Sequence, residues 1–394
     1  MARHRGAAGS VGQMGGRTFG RRYWRLLVVL LVVLAVAAAS WAVSWSVARR
    51  VVPSIATIHV TCQDRSTDAA RLQDAIDSSP VGAAIEFQGG TCLLTRGLIL
   101  LGDRTYTGGS TTGTVLRQAG SAAYVLASSA YADGATSTGD PLTIRDLTVA
   151  CDGSGGTDGI ILLNWQVDVE YVDVSGCGGS GIVDTNTNAA GRPIVNTSVN
   201  SRFDNNFITG SGGYGFEVSD TGNSVTDGFL DDNEIAYSRL DAIYLQDAAG
   251  WDISGNHLYN VGENAISASR LFGTTIAGNY VEDFAAGQRS GTWYGIFGTV
   301  QDGHGSTILG NKIFNNQGEQ PGATHVYIGI TRTNSGTGHL SVTGNVVMGD
   351  QRSDIGIFLS GGQNELDVAA SGNQVSGVGA ARVNAGHATV NGGS

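Results

Sequence analysis

Lysine is all but missing from this chain: Lys312 is the only one. Proline is scarce, at 5 of 394 residues, and aromatic residues reach only 7%. Long helical stretches of alternating Glu and Lys are therefore excluded, and so is a proline-rich linker. Acidic residues are absent before residue 51. No Cys/His spacing suits zinc, and neither a phosphate loop nor a dinucleotide fingerprint occurs. Glycine is abundant at 60 residues, yet no Gly-X-Y period accompanies it, which excludes collagen. Gly with β-branched residues, Asn and Asp points to many short strands and many turns.

Charge and hydropathy divide the chain. Residues Leu26 to Val47 form an uncharged apolar run of 22 residues, long enough to span a bilayer as a helix. Arg3, Arg5, Arg17, Arg21, Arg22 and Arg25 precede it, which places the N-terminus in the cytoplasm and the remainder outside. Trp41 and Trp45 suit the far membrane interface. The rival reading is a secretory signal peptide cleaved near Ala35-Val36-Ala37. The expected organisation is a basic cytoplasmic tail (1–25), a signal-anchor helix (26–47), a linker (48–61) and an ectodomain (62–394). Beyond residue 50 lie all 34 acids and 15 of the 23 bases, a net charge of −19. Such a domain repels phosphate backbones, so nucleic acid is not an expected partner.

Four cysteines fall in two local pairs, Cys62 with Cys92 and Cys151 with Cys177. Three connectivities are open in principle. Outside the cytoplasm the local pairs are expected to be disulfides, one near the N-terminal end of the fold and one between neighbouring turns.

The strongest signal is an internal repeat. WDISGNHLYN (251–260), TTIAGNYVED (274–283), STILGNKIFN (306–315) and LSVTGNVVMG (340–349) share an apolar residue, a Gly-Asn pair and another apolar residue. The Asn positions are 206, 233, 256, 279, 311, 345 and 373, spaced by 27, 23, 23, 32, 34 and 28 residues. Periods of this size indicate a solenoid, and the two-fold alternation indicates strands. The asparagines are expected at sharp turns, where a short amide tolerates left-handed backbone, and to hydrogen-bond along the stack. A second motif recurs between them, a small residue followed by apolar-any-apolar: Gly159-Ile160-Ile161-Leu162, Gly181-Ile182-Val183-Asp184, Gly215-Phe216-Glu217-Val218, Ala242-Ile243-Tyr244-Leu245, Ala265-Ile266-Ser267-Ala268, Gly295-Ile296-Phe297-Gly298 and Gly356-Ile357-Phe358-Leu359. It predicts one strand per turn with the first and third residues after the small one facing inward. Asp184 falls at an inward place, which predicts a register slip or an irregular turn there.

On these motifs, residues 60–390 resemble the right-handed parallel β-helix proteins of the pectate-lyase-like superfamily, including polygalacturonase-related chains. The segment DRSTDAARLQDAIDSSPVGAAIEFQGGTCLL (64–94) is similar to their entry segment. It predicts a short capping helix, N-capped by Ser66 or Thr67, with Leu72, Ala75 and Ile76 on its apolar face. The resemblance implies an all-β solenoid acting on a polysaccharide. Two family signatures are incomplete. Tyr214-Gly215-Phe216-Glu217-Val218-Ser219-Asp220 resembles the Tyr-Gly-Phe-Asp-Pro-His motif of alginate C5-epimerases, with Ser219 in the histidine place. Gly303-His304-Gly305 and Asp231-Asp232 resemble polygalacturonase elements, but about 70 residues separate them.

Stacking places equivalent side chains roughly 4.8 Å apart, which suits paired carboxylates or a hard cation such as Ca²⁺. The expected catalytic cluster is Glu217, Asp220, Tyr244, Asp247 and Arg270. A carboxyl would be the acid or base, Tyr244 a proton shuttle or sugar platform, and Arg270 a base or clamp for a sugar carboxylate. The insertions around 284–305 and 315–338 add Trp293, His304, Tyr327 and Arg332 as expected sugar contacts. The reading is a membrane-anchored glycoside hydrolase or polysaccharide lyase; its rival is a non-catalytic glycan-binding module, adhesin or scaffold.

Overall fold

The computed structural model describes residues 56–392 apart from 319, 321, 334 and 335. The expected membrane span and cytoplasmic tail lie outside these residues. Among the described residues no helix is long and apolar enough to cross a membrane.

The chain winds as a parallel β-helix with two long sheets. Among the described residues sheet A has 22 strands and sheet B has 11, and their pairings are parallel. One turn runs from Ile243–Leu245 in sheet B through Asp252–Ser254 and His257–Tyr259 in sheet A, then returns to sheet B at Ile266–Leu271. Each turn after residue 200 thus gives sheet A two short strands around its asparagine corner and sheet B one. The solenoid starts earlier than expected: Thr57–Thr61, read as linker, pairs with Ala84–Gln88.

The small-residue motif is the sheet B strand. Ile160, Ile182, Phe216, Ile243, Ile266 and Ile296 stack in register and are fully buried. The small residue before them is a packing requirement. A Cβ on Gly215 would sit 2.3 Å from Ile235 Cγ2 and 2.7 Å from the Ala242 carbonyl of the next turn. The expected slip at Asp184 does not occur: Val183 pairs with Glu217 and Asp184 with Val218. Asp184 instead points into the core, fully buried, and burial with the nearby Asp220 drives its pKa well up.

The asparagines form one continuous ladder. Asn256 Nδ2 donates to Asn279 Oδ1 at 2.9 Å and to the Leu230 carbonyl at 2.8 Å, and Asn256 N donates to Asn279 Oδ1 at 3.0 Å. The same pattern links Asn206, Asn233, Asn256, Asn279, Asn311, Asn345 and Asn373. One expectation is corrected. The asparagines lie inside the coil, and the left-handed residue is the one before each: Asn205, Asp232, Gly255, Gly278, Gly310, Gly344 and Gly372. Glycine or a short polar residue is needed there because φ is positive.

A helix, α1 (Asp68–Asp77), buries Leu72 and Ile76 against the strands Gly90–Leu94 and Leu98–Leu100. Thr67 stands at its N-cap but makes no side-chain cap bond. Asp68, the first helical residue, instead ties the segment before the helix to the strand Gly90–Leu94, accepting the backbone N–H groups of Gln63, Arg65 and Leu93 and an Arg71 guanidinium bond of 2.7 Å. Burial raises the Asp68 pKa, but these hydrogen bonds outweigh it and the net direction is down. Both expected disulfides are present, Cys62–Cys92 and Cys151–Cys177.

Candidate functional site

Sheet B carries two adjacent outward columns. One is the middle residue of each strand: Ile161, Val183, Glu217, Tyr244, Ser267 and Phe297. The other lies three residues earlier: Asp158, Ser180, Tyr214, Asp241, Asn264 and Tyr294. The columns couple diagonally at three places, where an early residue meets the middle residue of the next turn. Ser180 Oγ donates to Glu217 Oε2 at 2.7 Å. Tyr214 stacks on Tyr244 with centroids 4.5 Å apart and planes inclined by 10°. Asp241 shares Asn264 with Ser267, since Asn264 Nδ2 donates to Asp241 Oδ1 at 3.1 Å and to Ser267 Oγ at 3.2 Å.

Three carboxyl groups on this face are poised to hold a proton. Burial pushes Asp158 up to about 6, against the 2.8 Å bond it accepts from Ser180 N, and the Glu217 charge adds to the rise. Glu217 is also raised, by burial. Asp241 is pushed up to about 6, again by burial. Tyr214 rises to about 12 through burial and its neighbour Tyr244, so its phenol stays protonated. Asp158 and Glu217 are linked through the single residue Ser180. A cleft is lined by Gln73, Arg96, Asp133 and Tyr124, and Tyr124 is the strand partner of Asp158.

The expected catalytic residues divide into three positions. Glu217 and Tyr244 lie on this face. Asp247, past the end of its strand, meets Arg270 near the end of the strand Ile266–Leu271, with Arg270 Nη1 at 3.9 Å from Asp247 Oδ1. The Arg270 guanidinium lies 5.3 Å from the Phe272 ring centroid, and Phe272 stacks on the exposed His304 at 4.1 Å. Asp247 is raised by burial, an effect that Arg270 opposes. Asp220 belongs to neither group. It is fully buried and accepts four bonds, from Asn186 Nδ2 (2.7 Å), Gly222 N (2.9 Å), Ser224 N (2.6 Å) and Val225 N (2.8 Å). This corrects its expected place at the surface: strand parity carries it inward, where it closes a turn.

Among the expected sugar contacts, Tyr327 is fully buried, edge-on to Phe284, and cannot meet a sugar ring. The segment around it, read as an insertion loop, is the sheet B strand Ala323–Arg332. Trp293 is half-buried and donates to the Ser290 carbonyl at 2.9 Å. Arg332 donates to the Glu365 carbonyl. Asp158 and Asp241 were missed by sequence reasoning. The available signal was the polar or aromatic residue recurring immediately before each small residue, from Asp158 to Tyr294.

Residues 226–394 match the family model described as a right handed beta helix region. No curated protein matches the chain significantly in sequence. Among solved structures, the chain is similar to the A-module of mannuronan C-5 epimerase AlgE6 of Azotobacter vinelandii: 15% identical, covering 82% of this chain and 95% of that one, with a TM-score of 0.55. It is also similar to a tailspike of an Acinetobacter phage: 10% identical, covering 85% of this chain and 62% of the tailspike, with a TM-score of 0.57. At such identities the likeness is one of fold. The fold of this protein is a right-handed parallel β-helix.

Proposed function

We propose that this protein acts on a polysaccharide laid along the outward face of sheet B, cleaving or remodelling its glycosidic linkages. The observation that carries the reading is the line of carboxyl groups with raised pKa, the half-buried Asp158 and Glu217 and the buried Asp241, beside the Tyr214–Tyr244 stack. A carboxyl group titrating near 6 can give a proton to a leaving oxygen and take one back near neutral pH. Asp158 and Glu217, coupled through Ser180, are the acid/base pair of this reading. The tyrosine rings form a platform for a sugar face, and Arg270 with His304 receives a sugar carboxylate or hydroxyl. Enzymes acting on polysaccharides occur on this fold, as the name of the mannuronan C-5 epimerase indicates. The site sits outside the cell, held to the membrane by residues 26–47 with the N-terminus cytoplasmic. Ca²⁺ bridges the acidic surface to an anionic polymer where the polymer is charged.

The test is a panel of neutral and uronate polysaccharides incubated with the purified full chain, with and without Ca²⁺ or a chelator. New reducing ends alone mark a hydrolase; new ends with the ultraviolet absorbance of an unsaturated product mark a lyase. Glu217→Gln and Asp158→Asn are each expected to lose about 100-fold or more in rate. Saturable binding with no turnover would support the non-catalytic glycan module instead. Neither binding nor turnover across the panel would sink both readings.

A further inference from the structure

Away from that face, the segments 315–318 and 349–354 of two consecutive turns meet around His325. This histidine is fully buried near the start of the strand Ala323–Arg332. Its Nδ1 lies 3.5 Å from Asp354 Oδ1 and 2.7 Å from Gln351 Nε2. Asp354 is buried too, and its contacts are long: its Oδ1 accepts from His325 N at 3.3 Å and its Oδ2 from the Tyr327 hydroxyl at 3.3 Å. Asp350 Oδ2 accepts from Gly318 N at 2.7 Å. One ligand atom each from His325, Asp350 and Asp354 lies within 4.8 Å of the others.

Two polar atoms of this group have no hydrogen-bond partner although they are shut off from solvent: His325 Nε2 and Asp350 Oδ1. Buried polar atoms are nearly always paired, so a site that strands two of them, one on a fully buried imidazole, lacks a component. Two carboxylates converging on an imidazole define the missing charge as positive. We infer that His325, Asp350 and Asp354 hold one divalent transition-metal ion, with Zn²⁺ the best fit. Ca²⁺ and Mg²⁺ favour all-oxygen shells, and Mg²⁺ keeps several waters that a buried site excludes. Zn²⁺ takes imidazole nitrogen and carboxylate oxygen together, usually as four ligands. A cleft lined by Gln320, Thr324, Gln351 and Arg352 opens beside the group and supplies the entry path and a water as fourth ligand. The ion would tie a sheet B strand to the loop of the next turn.

The experiment strips the full chain with a chelator and titrates it by calorimetry with ZnCl₂, with CaCl₂ as the control. The expected result is one equivalent of Zn²⁺ bound, about tenfold or more tighter than Ca²⁺, with a higher thermal midpoint in its presence. Asp350→Asn and His325→Gln should each weaken Zn²⁺ binding by about tenfold or more. Asp350 is on a loop and half-buried, so Asp350→Asn decides the matter if His325→Gln fails to fold. Absence of saturable Zn²⁺ binding in the wild type, or affinity unchanged in Asp350→Asn, overturns the site.

Discussion

The turns before residue 200 and the turns after it settle the same corner by different means. In the later turns the corner holds the buried amide ladder from Asn206 to Asn373. In the earlier ones Leu147 and Val172 occupy its column, and the strands Leu142–Ala150 and Asp168–Ser175 run through the bend on one left-handed residue each, Asp146 and Tyr171. Both disulfides belong to the earlier turns. An apolar corner packs well but does not by itself dictate which rung pairs with which. An asparagine corner does, because a misaligned rung leaves a buried amide without partners. Early turns thus rely on covalent links for register, and late turns on hydrogen bonds.

Breaking the ladder in its middle should have the largest effect. Asn279→Ala takes the acceptor from Asn256 N and Asn256 Nδ2 and the donor from the Ile253 carbonyl and Asn311 Oδ1. The expected cost is about 4 kcal/mol, read as a lower urea midpoint. At the half-buried end of the ladder, Asn373→Ala should cost about 1 kcal/mol. Equal costs at the two positions would mean that the ladder does not act as a cooperative stack.

Removing the Cys151–Cys177 link with two serines tests the other half of the comparison. Loop closure over a separation of 26 residues gives an expected loss of about 3.5 kcal/mol. Because the link lies far from Asn279, the combined variant should show additive losses to within about 0.5 kcal/mol. Strong non-additivity would show that the two regions unfold as one unit.

Much of this organisation was legible in the sequence because the physics that holds it repeats. An amide ladder needs Asn on each successive rung, and a close carbonyl needs Gly or Ala, so both motifs appear as periods. The site was less legible. Side chains couple diagonally between turns, as in Ser180 with Glu217, and linear alignment of strands hides such pairs. Asp220 shows the opposite failure, since strand parity pointed inward and its chemistry drew it to the surface in the reading. Tyr327 was misread because a long spacing between asparagines looked like loop, where the strand Ala323–Arg332 simply lengthens.

The acids of the sheet B face allow a comparison of the regions at equal chemistry, since Asp158 lies in the early turns and Asp241 in the late ones. Each has a folded pKa of about 6, above an ordinary value of 3.8. For a carboxyl group raised on folding, the charged form is disfavoured in the native state. Stability is greatest below the unfolded pKa and falls as pH climbs from about 4 through about 6. Asp158→Asn and Asp241→Asn should therefore raise stability at pH 8 by about 2–3 kcal/mol each and flatten that slope. Denaturant midpoints at pH 4.5 and pH 8 check the sign; a variant less stable than wild type at pH 8 would show that the carboxylate is better satisfied than its burial implies.

The smallest expected effect is the sharpest test of why the ladder begins at Asn206. Val172 N already donates to Asn206 Oδ1 at 3.0 Å, the same bond that each ladder asparagine makes to the next. In Val172→Asn the new amide finds an acceptor in place at Asn206 and a second in the Ile144 carbonyl, which holds the position that Val169 serves for Asn206. Lost apolar packing and gained hydrogen bonds should nearly cancel, leaving a change of about 1 kcal/mol or less. Val172→Ala has no such compensation and should cost about 2 kcal/mol. If Val172→Asn instead costs as much as Asn279→Ala, the early corner cannot take an amide, and the boundary near residue 200 reflects a difference in backbone geometry rather than in side-chain chemistry.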